Sequence, residues 1–117
     1  MRKTLGLVLM LSGSIAGLAL AQDPHGHKGS AEFAAQMMQA MERMDAGMMA
    51  AKPTGNSDRD FAAMMIPHHQ GAIDMAKVEL IYGHDPVLRR LAQGIIVEQQ
   101  QEIEVMQRYL HEASAAQ

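Results

Sequence analysis

The segment Met64-Met65-Ile66-Pro67-His68-His69 gathers four thioether or imidazole donors into one short stretch: Met64, Met65, His68 and His69. In a helix, Met64 lies one turn from His68 and Met65 one turn from His69, giving two Met/His pairs on adjacent strips. A thioether sulfur is a soft, neutral donor that suits Cu(I) and Ag(I), and it carries no proton that a metal must displace near neutral pH. Imidazole adds a nitrogen donor whose second ring nitrogen can donate to a carboxylate. A buried imidazole costs desolvation energy unless its ring nitrogens find partners. Gln99 and Glu102 are the candidate partners. The plainer alternative is a structural histidine, hydrogen-bonded to one of them with no metal involved. Pro67 removes one backbone hydrogen bond and should bend or restart the helix beside these residues.

A second set of sulfurs precedes it. Met37, Met41, Met44 and Met48 step by four, three and four residues, which puts them on one helix face about a turn apart. Such a ladder can hold a soft ion between helices or pass it along; Met37, at its end, is the weaker member. Of the 12 Met, all but Met1 and Met10 lie beyond residue 21, against only Leu80, Leu88, Leu91 and Leu110 there. Helical cores ordinarily invert that ratio, because Leu has better-defined rotamers and Met is the flexible gap-filler. Any single Met is adequately explained as core filling; the set as a whole is better explained by ligation. The remaining histidines carry less weight. His25 and His27 sit in a Gly-containing stretch suited to loose metal capture or to plain solvation. His84 belongs to a turn, and His111 to an exposed helix end.

These side chains need rigid elements to hold them, and the chain reads as three long helices. The first runs from about Ser30 to Ala51 and is broken by Lys52-Pro53-Thr54-Gly55-Asn56-Ser57. The second runs from about Asp58 to Tyr82, with Gly83 expected as a left-handed cap. The third follows Asp85, with Pro86 at its first position, and ends near Glu112. No stretch alternates with period two, so no strands are expected. Helical stripes fall on Phe33, Met37, Met41, Met44 and Met48; on Phe61, Met64, Met65, His68, Ala72 and Met75; and on Leu88, Leu91, Ile95, Gln99, Ile103, Met106 and Leu110. Short connections make neighbours antiparallel, so these stripes are expected to face one another in an all-α, antiparallel bundle of three long helices.

Residues 1–21 read as a secretory signal: Arg2 and Lys3, an apolar run from Leu5 to Leu20, then Ala19-Leu20-Ala21. The expected organisation is a signal at 1–21, a flexible His-containing leader at 22–29, and one helical domain at 30–117. A periplasmic or secreted location follows, with no membrane span after cleavage. Without Arg2 and Lys3, 8 basic residues face 13 acidic ones, a formal charge of −5. That balance disfavours nucleic acid and anionic membrane surfaces. Cysteine is absent, which excludes disulfides and thiolate sites and leaves thioethers for soft-metal chemistry.

Asp60-Phe61, Met64 to His69, and Ala72-Ile73-Asp74-Met75-Ala76 resemble the family catalogued as domain of unknown function 305, as do Leu91-Ala92, Ile95-Ile96, Gln99, Glu102-Ile103 and Met106. The resemblance covers about Asp58 to Leu110. It implies a ferritin-like helical bundle, usually secreted or periplasmic, with relatives that bind copper or silver and aid resistance to them. Carried over residue by residue, it marks Met64, Met65, His68, His69, Met75, Glu102 and Met106 as the functional set. A ferritin-like bundle has four helices and only three are read here, so either the first breaks near Gly47 or a partner subunit, as in a homodimer, covers the open face.

The leading expectation is a metallochaperone or sponge carrying Cu(I) or Ag(I) as cargo, with no organic cofactor, and with a metal exporter or a periplasmic metallochaperone as exchange partner. A metal-free interaction module with an adaptable Met-rich face is the alternative. A ferritin-like metal oxidase is disfavoured, because no Glu-x-x-His pair occurs in the chain. His-Glu-x-x-His is also missing and there is no thiol nucleophile, so no catalytic residue is assigned.

Overall fold

The computed structural model describes residues 24–115, with side chains from Gly29 onward. The proposed signal at 1–21 and the side chains of His25 and His27 lie outside the described residues. Three helices account for nearly everything else: α1 (Pro24–Ala50), α2 (Ser57–Tyr82) and α3 (Pro86–Ala115). The fold is all-α, as the periodicity implies. The helix of α1 begins at Pro24, six residues before the expected Ser30, so the stretch expected as a flexible leader is helical from Pro24 on. Proline is at home there, because the first helical turn has no use for its missing N–H. No break occurs at Gly47, and α1 supplies one helix rather than two.

Side-chain caps set the starts of α2 and α3. Asn56 has extended backbone and its Oδ1 accepts from the amides of Asp58 and Arg59, both at 3.1 Å. Asp85 Oδ1 accepts from Val87 at 2.8 Å and Leu88 at 2.9 Å, with Pro86 at the first position. At the far end of α2, Gly83 is extended (φ −73°, ψ 144°), not left-handed. Its amide still donates to the Glu79 carbonyl at 2.7 Å, and Arg89 satisfies the carbonyls of Leu80 and Gly83 at 2.7 and 2.8 Å. With an arginine doing the capping, no left-handed residue is required. The left-handed glycine is Gly55 (φ 86°), in the α1–α2 loop.

Asp60, in the first turn of α2, ties that loop down. Its Oδ1 accepts from Thr54 Oγ1 at 2.7 Å and from the Thr54 amide at 2.8 Å, and its Oδ2 from the Gly55 amide at 3.3 Å. The Thr54 hydroxyl and then the Thr54 amide hold this carboxyl below its ordinary value; desolvation opposes them, and the Gly55 amide and the charge of Arg59 add lesser lowering effects. A lowered folded pKa contributes stability that is present above the unfolded value and disappears as pH falls through the folded one. Wild type should therefore outlast Asp60→Ala in urea at pH 7, with the gap closing as the pH drops below 3.8. A gap that does not change with pH would refute the assignment.

α2 is the middle helix. It packs along α1 on one side and α3 on the other, while α1 and α3 meet only across an open groove among the described residues. Both pairs are antiparallel. Phe33 and Gln36 near the start of α1 meet Tyr82 at the end of α2, by an edge-on ring contact at 6.1 Å and a hydrogen bond from Gln36 Nε2 to the Tyr82 hydroxyl at 2.6 Å. Arg59 at the start of α2 donates to the Ala113 carbonyl at 3.2 Å and to Ser114 Oγ at 3.4 Å, at the end of α3. The three antiparallel helices make the expected bundle, with α2 in the middle of a layer and the buried residues along its two seams.

The α1–α2 seam is close because glycine faces a side chain in both directions. A Cβ on Gly47 would sit 2.6 Å from Pro67 Cβ, and one on Gly71 would sit 2.6 Å from Met44 Cβ and 2.8 Å from its sulfur. α2 runs through Pro67 without restarting, and the ring lodges where Gly47 leaves room. Gly71→Ala should destabilise by about 1–3 kcal/mol through overpacking, set against up to about 1 kcal/mol of improved helix propensity. Gly94→Ala, in a helical position with nothing within 4 Å, should instead stabilise by about 0.5–1 kcal/mol. Urea midpoints of the two variants would show opposite shifts; shifts of the same sign would argue against the close crossing.

Across the α2–α3 seam, Ala62 and Ile73 meet Ile103 and Met106, with Met65, Ile66, Ile96 and Leu110 partly buried against them. Elsewhere the buried apolar residues are Ala40, Ala76, Val78 and Ala92. This is a thin core, built largely from small side chains.

Candidate metal centre

In α2, residues 67, 71 and 74 turn toward α1, and residues 62, 66, 69 and 73 toward α3. Between those two strips runs the series Phe61, Met64, His68, Ala72, Met75 and Glu79, stepping by three or four. It floors one broad surface of the layer. Phe61 (62% exposed), Met64 (42%), Leu88 (51%) and Leu91 (59%) lie open along it. The α1 sulfurs flank it: Met41 is exposed, Met37, Met44 and Met48 are half-buried, and Met44 is the one pressed against Gly71.

Two open grooves mark this surface. One, of about 580 Å³, is lined by Phe61, His69, Glu98, Gln101, Glu102, Val105 and Met106. The other, of about 300 Å³, runs between Met37, Ala72, Met75 and Glu79 on one side and Leu88, Leu91 and Ile95 on the other. The residues marked in the sequence are thus split. His69, Glu102 and Met106 come together, with Met65 on the adjoining apolar cluster, while Met75 and Met37 share the second groove. His84 and His111 are exposed.

Glu102 partners His69 rather than His68: His69 Nε2 lies 2.6 Å from Glu102 Oε2. The two histidine rings are 5.8 Å apart and inclined at 61°. With Nε2–H donating to the carboxylate, a neutral His69 carries its lone pair on Nδ1, the tautomer being inferred from this contact. Nδ1 of His69 and Nδ1 of His68 are both shut off from solvent without a hydrogen-bond partner, and so is Gln99 Oε1. Gln99 therefore does not serve His68 as the sequence suggested. Orphaned polar atoms are costly and call for a reason. For His69, a lone pair turned inward and a carboxylate behind the ring is the arrangement of a metal-ligating histidine.

No group of three or more His, Asp or Glu converges on a point among the described residues. A metal held here by two imidazoles would complete its shell with the methionine sulfurs around them. Glu102 has the position of an orienting carboxylate, a role that only the geometry separates from direct ligation. The sequence reading also passed over Asp60 as a structural tie and the glycines that set the α1–α2 distance. Their signals, an acidic residue six positions after Thr54 and a glycine in each helix, are individually weak.

The family model described as Domain of unknown function (DUF305) matches residues 10–110. No curated protein matches the chain.

Proposed function

Because the chain belongs to the DUF305 family, whose description assigns no activity, we propose from its own residues that it binds a soft monovalent cation, Cu(I) or Ag(I), as cargo. The observation that carries this reading is the pair of enclosed, unpartnered imidazole nitrogens, His68 Nδ1 and His69 Nδ1, on the helix that also carries Met64, Met65 and Met75, beside grooves lined by Met37, Met75 and Met106. His68 and His69 supply nitrogen. Met64, Met65, Met75 and Met106 supply sulfur, and the α1 ladder of Met41, Met44 and Met48 offers further positions. Thioether and imidazole are neutral, so the bound ion keeps its charge, which Glu79, Glu98 and Glu102 along the grooves offset. Glu102 holds the His69 ring.

In this reading the protein is exported, lowers free metal in the cell envelope, and exchanges it with an exporter or another metallochaperone. Binding without chemical turnover is proposed; no catalytic group is assigned. No helix among the described residues is long and apolar enough to cross a membrane.

The exposed apolar side chains favour a second reading, a metal-free module whose methionine surface accepts a partner helix. Replacing Met64, Met65, Met75 and Met106 together with Leu separates the two. Competition with a chromogenic Cu(I) chelator should show the parent chain holding Cu(I) and the Leu variant, still helical, failing to. A parent chain that never competes at micromolar chelator would end the metal reading, and full function in the Leu variant would establish the module.

A further inference from the structure

We propose that the open methionine-lined surface is the interface for a second copy of this chain, and that the soft cation sits between the two copies. The inference rests on the metal reading above and adds where the missing ligands come from.

The first argument is area. Phe61, Met64, Leu88, Leu91 and Met41 are each 40–62% exposed. On side chains of roughly 200 Å², they alone leave on the order of 500 Å² of apolar surface open. Half-buried Met37, Met48, Met75 and Ile95 add to it. The total approaches the ~800 Å² per partner of a stable interface, and it exceeds what a monomer ordinarily leaves exposed.

The second is the donor set. One chain brings no three His, Asp or Glu together among its described residues, and Met106 lines one groove while Met37 and Met75 line the other. His68 lies at the middle of α2, and α2 is the middle helix of the layer. A two-fold axis through the centre of the surface sets the exposed Met64 and the half-buried His68 of one copy beside the same pair in the other, with Nε2 rather than the enclosed Nδ1 of each His68 offered to the shared ion. Two half-sites then make a whole one, in an interface of the usual self-complementary kind.

The third is charge. The charged residues lining the two grooves are Glu79, Glu98 and Glu102, all acidic. Two such surfaces repel when brought together and attract across a cation held between them. Dimerisation and metal binding are therefore coupled, each strengthening the other by the same factor.

Sedimentation of the purified protein with and without Ag(I), alongside chelator competition to show whether Ag(I) is bound, tests this. The expected result is a monomer–dimer equilibrium moved at least tenfold toward dimer by Ag(I). Leu91→Arg and Phe61→Arg, at opposite ends of the surface and exposed enough to leave the fold helical, should each abolish the shift. Lys77→Glu, an exposed change on α2 away from the grooves, should preserve it. Ag(I) bound with no change in sedimentation overturns the shared site and leaves the metal reading standing; no Ag(I) bound at all overturns both.

Discussion

Replacing His68 with leucine should cost the purified protein about 100-fold or more in Cu(I) affinity while leaving it as stable as the parent chain, or more so. The two halves of this expectation come from the same ring. His68 Nδ1 is enclosed and makes no hydrogen bond. With the ring serving as a donor, its removal takes away a direct ligand, which should exceed the ~10–100-fold lost when an outer partner of a ligand is removed. The unpartnered Nδ1 carries a desolvation cost of about 1–3 kcal/mol in the metal-free protein, which leucine, of similar size, does not. Chelator competition reads the first effect and urea unfolding of the metal-free protein the second. Unchanged affinity together with a loss of stability would make His68 a structural residue and remove the centre of the proposed site.

Much of this is legible in the sequence. The breakers at 52–57 and the Asp85-Pro86 start are local signals: a cap side chain and a proline act on the backbone next to them, and the structure places helix ends there. The Met/His spacing was equally readable, because helical periodicity alone puts Met64 and His68 on one face. What could not be read was the direction of that face. Periodicity shows that a stripe is apolar without showing what covers it, and the α3 stripe divides: Ile103 and Met106 close on α2, while Leu88 and Leu91 stay exposed. The partner of Glu102 was hidden for the same reason. His68 and His69 differ by 100° around α2, and only the placement of α3 decides that the carboxylate meets His69. Gly83 misled because an Arg89 side chain, six residues on, did the work expected of a left-handed backbone.

Ile73→Ala should destabilise the protein by about 2–5 kcal/mol, the range for emptying a closed site of three methylene-sized groups. Ile73 is 2% exposed, on the side of α2 that faces α3, and Ile103 opposite it is 4% exposed. Most other buried positions are alanine, so these two side chains supply a large share of the volume between the helices. A layer has no third helix to settle into the void, so little of the loss is recovered by collapse. Against a typical total of 5–15 kcal/mol, the change consumes a large part of the stability, and Ile73→Val should cost only about 0.5–1.5 kcal/mol. The same loss should loosen the α2–α3 seam that sets His69 against Glu102, so Cu(I) affinity should fall in step with stability. Urea unfolding at fixed protein concentration measures the effect. A cost below about 1 kcal/mol would mean that the seam is not the main source of stability, and the covered surface of a dimer would then have to supply it, visible as a melting temperature that rises with protein concentration.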